Sequence, residues 1–345
     1  MGRRKAIRTG LFFLFGGLVS RVRAEDLSHV LDDNSSSISV PASAVKLEGF
    51  LGVHDPSTII RDGGKYWLFT TGTGIGTRFS TNLVNWQKGP NVFDSRPDWT
   101  SQAVPNFRGF FWAPEIIRLK NTFYLYYAVS TFGSRVSAIG LATNATLDPE
   151  ATNYRWTDCG MIIQSSHETP YNAIDPALLH DEDGKLWMSF GSFSKGIMLT
   201  ELDPGTGKRI AADAPIIPLA YHDSIEASYL YRRAGYYYLF VNWGYCCRGV
   251  KSTYNIRVGR SAAITGPYLD RDGNDLLHDG GTLVLDTMGT RIGPGQAGIF
   301  ADGGKEWFSY HYYDATQEGK SMLGLQTLTW SADDWPDLSY LLPQK

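Results

Sequence analysis

The sequence predicts an all-β protein, a propeller of five blades. Three observations carry this. A turn followed by an aromatic-rich strand recurs five times. Each copy is preceded by an apolar strand. Convincing helical periodicity is absent throughout, which argues against an α/β fold. The copies open at Gly64-Lys65-Tyr66-Trp67, Asn121-Thr122-Phe123-Tyr124, Gly184-Lys185-Leu186-Trp187, Gly235-Tyr236-Tyr237-Tyr238 and Gly304-Lys305-Glu306-Trp307, at intervals of 57, 63, 51 and 69 residues. β-rich units of that length are the mark of a propeller. The competing arrangement is a series of unrelated hairpins in a β-sandwich.

The chain has 345 residues, 43% hydrophobic and 13% aromatic, with three cysteines. Aromatic packing rather than disulfide bonding must therefore carry the stability. Residues 1–24 read as a secretory signal peptide: a basic start (Arg3, Arg4, Lys5, Arg8), an apolar run from Leu11 to Val19, and small residues at Val22 and Ala24 before the cut. The apolar run is too short to span a bilayer, which needs about 20 residues. Cleavage would leave 26 Lys and Arg against 35 Asp and Glu, a net charge of −9. Nucleic acid and anionic membrane are therefore poor partners. Residues 25–44 read as a flexible polar leader, and 45–345 as the propeller. Asn34 and Asn144 head glycosylation sequons.

Counting nine residues back from each turn gives Asp55, Trp112, Asp175, Glu226 and Gly295. The leading strand of a blade lines the central axis, so three carboxylates and an aromatic ring should meet there. That is the layout of a carbohydrate site. Acids act on glycosidic oxygens, and aromatic faces stack on sugar rings. Hydrolysis needs one protonated carboxyl and one ionised one. Glu115 is out of register with the three acids and reads as structural.

The stretches His54-Asp55-Pro56-Ser57, Phe111-Trp112-Ala113-Pro114-Glu115, Val129-Ser130-Thr131-Phe132-Gly133-Ser134, Tyr171-Asn172-Ala173-Ile174-Asp175-Pro176, Ser189-Phe190-Gly191-Ser192-Phe193, Ile225-Glu226-Ala227 and Gly293-Pro294-Gly295 resemble glycoside hydrolase family 43, most closely its endo-1,5-α-L-arabinanases. The resemblance runs from about residue 47 to 330 and implies a five-bladed propeller, an inverting mechanism and arabinan as substrate. It implies Asp55 as general base, Glu226 as general acid, and Asp175 as the residue that tunes and orients the acid. Trp112, Phe132, Asn172 and Ser192 are expected to bind substrate. An inverting pair should stand roughly 6.5–9.5 Å apart. The chemistry requires no cofactor.

Arabinanases of this kind often carry an axial metal ion, such as calcium, held mostly through water and a histidine of the last blade. This chain has Gln296 where a histidine is common, and His311 is the other candidate. Asp270-Arg271-Asp272-Gly273-Asn274-Asp275 lacks the distal glutamate of a calcium loop and reads as a turn. Cys246 and Cys247 form either a vicinal disulfide near the site or two buried thiols, leaving Cys159 free or buried. The expected protein is a secreted extracellular monomer. An exo-acting β-xylosidase or α-L-arabinofuranosidase is the alternative enzyme, and a non-catalytic sugar-binding propeller the alternative class.

Overall fold

The computed structural model describes residues 45–338. The signal peptide, the polar leader and the Asn34 sequon lie outside the described residues. The strands form five sheets in chain order, one per blade. Blade one runs Ile60–Asp62, Lys65–Thr70, Gly76–Ser80 and Asn85–Lys88 from inside out, with Glu48–Gly49 added in parallel at its outer edge. Blade two runs Phe110–Leu119, Thr122–Val129, Ser137–Asn144 and Thr157–Ser165, with Gly72–Thr73 on its inner side. Blade three is Ala177–His180, Leu186–Phe190, Ile197–Leu202 and Ile217–Ala220. Blade four is Ile225–Arg233, Tyr236–Trp243, Asn255–Ser261 and Thr282–Leu285. Blade five is Arg291–Asp302, Lys305–Asp314, Lys320–Trp330 and Pro336–Asp337.

The five aromatic-rich strands are the second strands of the five blades. They are apolar on both faces because a neighbouring blade covers each face. From Phe123 to Val129 every residue is buried. The core is accordingly divided into five layers between adjacent blades. Trp67 and Phe69 pack with Phe111 and Phe123, Tyr126 with Leu186 and Phe190, Trp187 with Leu239, Phe240 with Phe308, and Leu68 and Trp86 with Leu323 and Leu325. The last layer closes the ring. The segment entering blade one is stitched to blade five, with Val53 N–H donating to Ser321 O (3.2 Å) and Leu323 N–H to Leu51 O (2.9 Å). One short helix, Asp98–Ala103, lies between blades one and two. Six residues are under two turns, too few to leave a helical period in the sequence.

The structure corrects the Asn144 expectation. This asparagine is buried, and its Oδ1 accepts from the amides of Thr146 and Arg155 (3.4 and 3.1 Å). A glycan on Nδ2 would have to displace the packed strand end. The Asp270 turn behaves as read: the carboxylate accepts from the amides of Asp272, Asn274 and Gly281, which closes the loop on itself.

Glu115 is a structural residue. It is buried and accepts the Thr58 amide at 2.9 Å, tying blade two to the strand that leaves Asp55. Burial pushes its carboxyl up to about 7, against the bonds from Thr58 and Ile116. A carboxyl raised this way favours folding while protonated and opposes it once ionised. Stability is therefore lost as pH rises from the ordinary value of 4.5 through 7. Glu115→Gln keeps an acceptor for Thr58 and removes the titration. In urea unfolding, the wild type should lose about 3 kcal/mol between acidic and slightly alkaline pH relative to this variant. An identical slope in both would show that Glu115 does not titrate there.

Candidate active site

At the mouth of each blade one non-glycine residue takes a left-handed conformation: Asp55 (φ 47°), Ala113 (39°), Asp175 (56°), Ala227 (52°) and Gln296 (60°). Such residues are uncommon, and strain of this kind gathers at functional sites. Four of their N–H groups are accepted by a side chain of the preceding blade. Ala113 donates to Thr71 Oγ1 (2.9 Å), Ala227 to Asp175 Oδ2 (3.1 Å), Gln296 to Asn242 Oδ1 (3.1 Å) and Asp55 to His311 Nδ1 (3.2 Å).

This backbone corrects the sequence register. Asp55 and Asp175 are themselves the left-handed residues, whereas Trp112, Glu226 and Gly295 each precede one. In blades two, four and five the inner strand runs on past the turn through a bulge, shown by register shifts at Trp112/Glu115, Glu226/Tyr229 and Gly295/Gly298. Glu226 is thus offset by one residue from the position of Asp55 and Asp175. The acids still converge on one cleft of about 1190 Å³.

The cleft is lined by Asp55, Asp175 and Glu226, and by all four predicted substrate residues, Trp112, Phe132, Asn172 and Ser192. Phe132 stands 86% exposed at the rim and Trp112 is half-buried. Asn172 is buried with no partner for its Oδ1 among the described residues. The Ser192 hydroxyl donates to Glu226 Oε2 at 2.7 Å.

Two environments separate the carboxyls. Asp55 Oδ2 accepts from Thr71 Oγ1 (2.6 Å) and His54 Nδ1 (2.8 Å), leaving Oδ1 facing His311 Nδ1 at 3.7 Å. Burial raises the Asp55 pKa, but His54, His311 and Thr71 together outweigh it and hold the carboxyl down at about 2. His54 is drawn down by burial and lifted further by Asp55 and Glu226, so that its pKa ends above the ordinary value. Burial pushes Asp175 well up, and the charges of Glu226 and Asp55 add to it. Burial also raises Glu226, opposed by hydroxyl bonds from Tyr254 and Ser192. Asp175 and Glu226 therefore both sit above the usual carboxylate range.

Tyr254 is the residue sequence reasoning missed. Buried at the head of blade four's third strand, it donates a short hydrogen bond to Glu226 Oε1. Its ring takes the space over Gly295, where a Cβ would come within 2.4 Å of Tyr254 Cδ2. Blade five therefore contributes a missing side chain, and Gly295 was the signal that something bulky sits on the axis. Phe110, Phe193, Tyr245 and Arg248 also line the cleft outside the predicted set.

The side chains present do not form a calcium cage, which takes six to eight oxygens. His54, Asp55 and His311 are close enough to share an ion, but two of these three are imidazoles and Asp55 Oδ2 is already doubly bound. His311 Nε2 is buried and has no partner among the described residues. Burial and His54 pull His311 down to about 3, so the ring is neutral. Because Nδ1 accepts the Asp55 amide, Nε2 of the neutral ring carries the hydrogen. A calcium ion on the axis would need water for most of its oxygens.

Opposite shifts in one titration test these environments. Tyr254→Phe removes a bond that favours ionised Glu226, so the Glu226 pKa should rise further. Asp55→Asn removes a nearby negative charge, so it should fall. Carbon-13 NMR of the labelled glutamate carboxyls reads both. Shifts in the same direction would show that the surroundings assigned to Glu226 are wrong.

The model of the glycosyl hydrolases family 43 matches residues 50–336. The extracellular exo-alpha-(1->5)-L-arabinofuranosidase ArbA of Cellvibrio japonicus is 38% identical, with 83% of this chain and 86% of that one covered. The extracellular endo-alpha-(1->5)-L-arabinanase 1 of Bacillus subtilis is 39% identical over 82% of this chain and 87% of its own. The solved alpha-L-arabinanase of Cellvibrio cellulosa complexed with arabinohexaose superposes with a TM-score of 0.80 at 38% identity, covering 83% of this chain and 95% of that one. Five blades, three acids in one cleft and these similarities agree: the chain is a glycoside hydrolase and belongs to family 43.

Proposed function

We propose that the protein is an extracellular, inverting endo-arabinanase that cuts α-1,5-linked arabinofuranose chains within arabinan, acting as a monomer. The observation that carries the chemistry is the split between an ionised carboxyl, Asp55 at about 2, and a raised pair, Asp175 and Glu226. Asp55 Oδ1, left open by the two bonds to Oδ2, takes a proton from the attacking water. Glu226 gives its proton to the leaving oxygen, and the anomeric centre inverts in a single displacement. Asp175, which sits beside Glu226 through the Ala227 amide, is assigned the task of tuning and orienting the acid. No cofactor takes part, and an axial ion, if held by water near His311, has a structural role only.

Support for mid-chain cutting comes from aromatic side chains beyond the carboxylates: Phe132, Phe110 and Tyr245, exposed by 86, 51 and 44%, all line the cleft. Rings in that number suit several sugar units rather than one chain end. Export is supported by two relatives whose names say extracellular. The exo reading keeps specific support from the names of the Cellvibrio japonicus relative and of a solved exo-1,5-alpha-L-arabinanase from a bovine ruminal metagenomic library.

Product analysis on debranched linear arabinan decides between them. Mixed oligosaccharides should appear first, and Asp55→Ala and Glu226→Ala should each lower kcat by about a thousandfold or more with the fold intact by circular dichroism. Products of one fixed small size from the start would establish the exo reading, and wild-type rates in either variant would overturn the role assignment. Dialysis against a strong chelator should leave kcat on arabinan unchanged. A loss restored by calcium would make the ion part of the working site.

A further inference from the structure

We propose that the Cys246–Cys247 disulfide is a positioning element for the general base, and that reducing it slows the enzyme while leaving the propeller folded. The inference rests on Asp55 being the base. The two cysteines, adjacent in sequence, are bonded to each other and line the cleft, with Cys159 left free. They lie in the loop between the second and third strands of blade four, Tyr236–Trp243 and Asn255–Ser261.

A continuous chain of contacts runs from this pair to Asp55. The Cys247 amide donates to Tyr313 Oη at 2.7 Å. Tyr313 Oη meets His54 Nε2 at 2.7 Å, and His54 Nδ1 meets Asp55 Oδ2 at 2.8 Å. His54 Nδ1 donates to the carboxylate, and Nε2 shares a hydrogen with the Tyr313 hydroxyl. The Tyr313 oxygen is then free to accept from Cys247. Cys247 Sγ also lies 3.7 Å from His54 Nε2. Each member bonds to the next, so the position of the Cys247 amide is felt at the base.

What holds that amide is the bond between neighbours. Cys247 has φ 64°, a left-handed conformation that side-chain-bearing residues rarely adopt. A disulfide between adjacent residues closes a small ring through the backbone and keeps the peptide there. With the bond open, the residue is released toward ordinary φ values and its amide turns from Tyr313.

The rest of the loop is secured independently. Thr253 N–H donates to Tyr245 O (2.9 Å), Tyr245 N–H to Thr253 Oγ1 (3.0 Å), and Arg248 N–H to Ser252 Oγ (3.1 Å). The Arg248 guanidinium also covers the Tyr245 ring at 4.3 Å. Opening the bond frees the pair alone. Cys247 is exposed, so a dithiol reductant reaches it. Two electrons and two protons pass to the pair, the Sγ–Sγ bond breaks to two thiols, and the reductant closes its own disulfide.

The test compares oxidised wild type, dithiol-treated wild type with mass-verified reduction, Cys246→Ser/Cys247→Ser, and Cys246→Ser/Cys247→Gly, all on linear arabinan. Reduction and the double serine variant should each lower kcat about tenfold, change KM less than twofold, and leave Tm within a few degrees. Reoxidation should restore the reduced enzyme. Glycine takes the left-handed conformation freely, so the Cys246→Ser/Cys247→Gly variant should recover at least half of the lost kcat. Cys159→Ser should respond to reductant as the wild type does. An unchanged kcat after verified reduction, or a loss that glycine does not rescue, overturns the proposal. If the oxidised enzyme does not cut arabinan, the functional reading fails first. The nitrogen-15 shift of His54 Nε2 then still decides this inference: a shift on reduction supports it, and none overturns it.

Discussion

The site depends on a circle of backbone amides. Left-handed residues at the blade mouths turn their N–H groups so that Thr71, Asp175, Asn242 and His311 can accept them from the blade before. Each bond joins two sheets that share no strand ladder. Buried amides without partners are costly, so the blades are fixed relative to one another where the acids emerge. Asp175 and His311 belong to this circle and to the cleft electrostatics at once. The same atoms that set the blade angles also set charge.

The second organising fact is that three carboxyls line one cleft. They remain compatible because their hydrogen-bond surroundings differ. Asp55 has His54 and Thr71 on one oxygen, whereas Asp175 has one backbone amide and two negative neighbours. Glu226 lies between these extremes, held by hydroxyls that stabilise its charge less than an imidazole does. Identical chemical groups thus divide into an ionised and a proton-bearing class.

Much of this was legible in the sequence, for a physical reason. A strand buried on both faces must be apolar throughout, and five such strands behind five turns can hardly be hidden. The acids and Trp112 were visible because blade mouths repeat at a fixed distance from those turns. The bulge was not visible, because one extra residue just after Trp112, Glu226 and Gly295 changes backbone conformation without changing composition. Tyr254 was missed because it arrives from a third strand, outside the repeat used for counting, and betrays itself only through the Cβ that Gly295 lacks. Asn144 misled because a sequon records three residue types and nothing of burial. The choice between a bonded and a reduced Cys246–Cys247 pair depended on loop geometry that no spacing rule supplies.

The closure of the ring has a consequence for the nascent chain. Asp55 is made early, yet the imidazole that accepts its amide comes from His311, and Leu51 and Val53 are stitched to Ser321 and Leu323. Tyr313, which touches His54, is also among the late residues. A ribosome therefore exposes the carboxylate of blade one, with only His54 and Thr71 beside it, long before His311 and Tyr313 can fix its place. Translation of the fifth blade arms the first, and a chain still short of it carries every acid but no assembled centre.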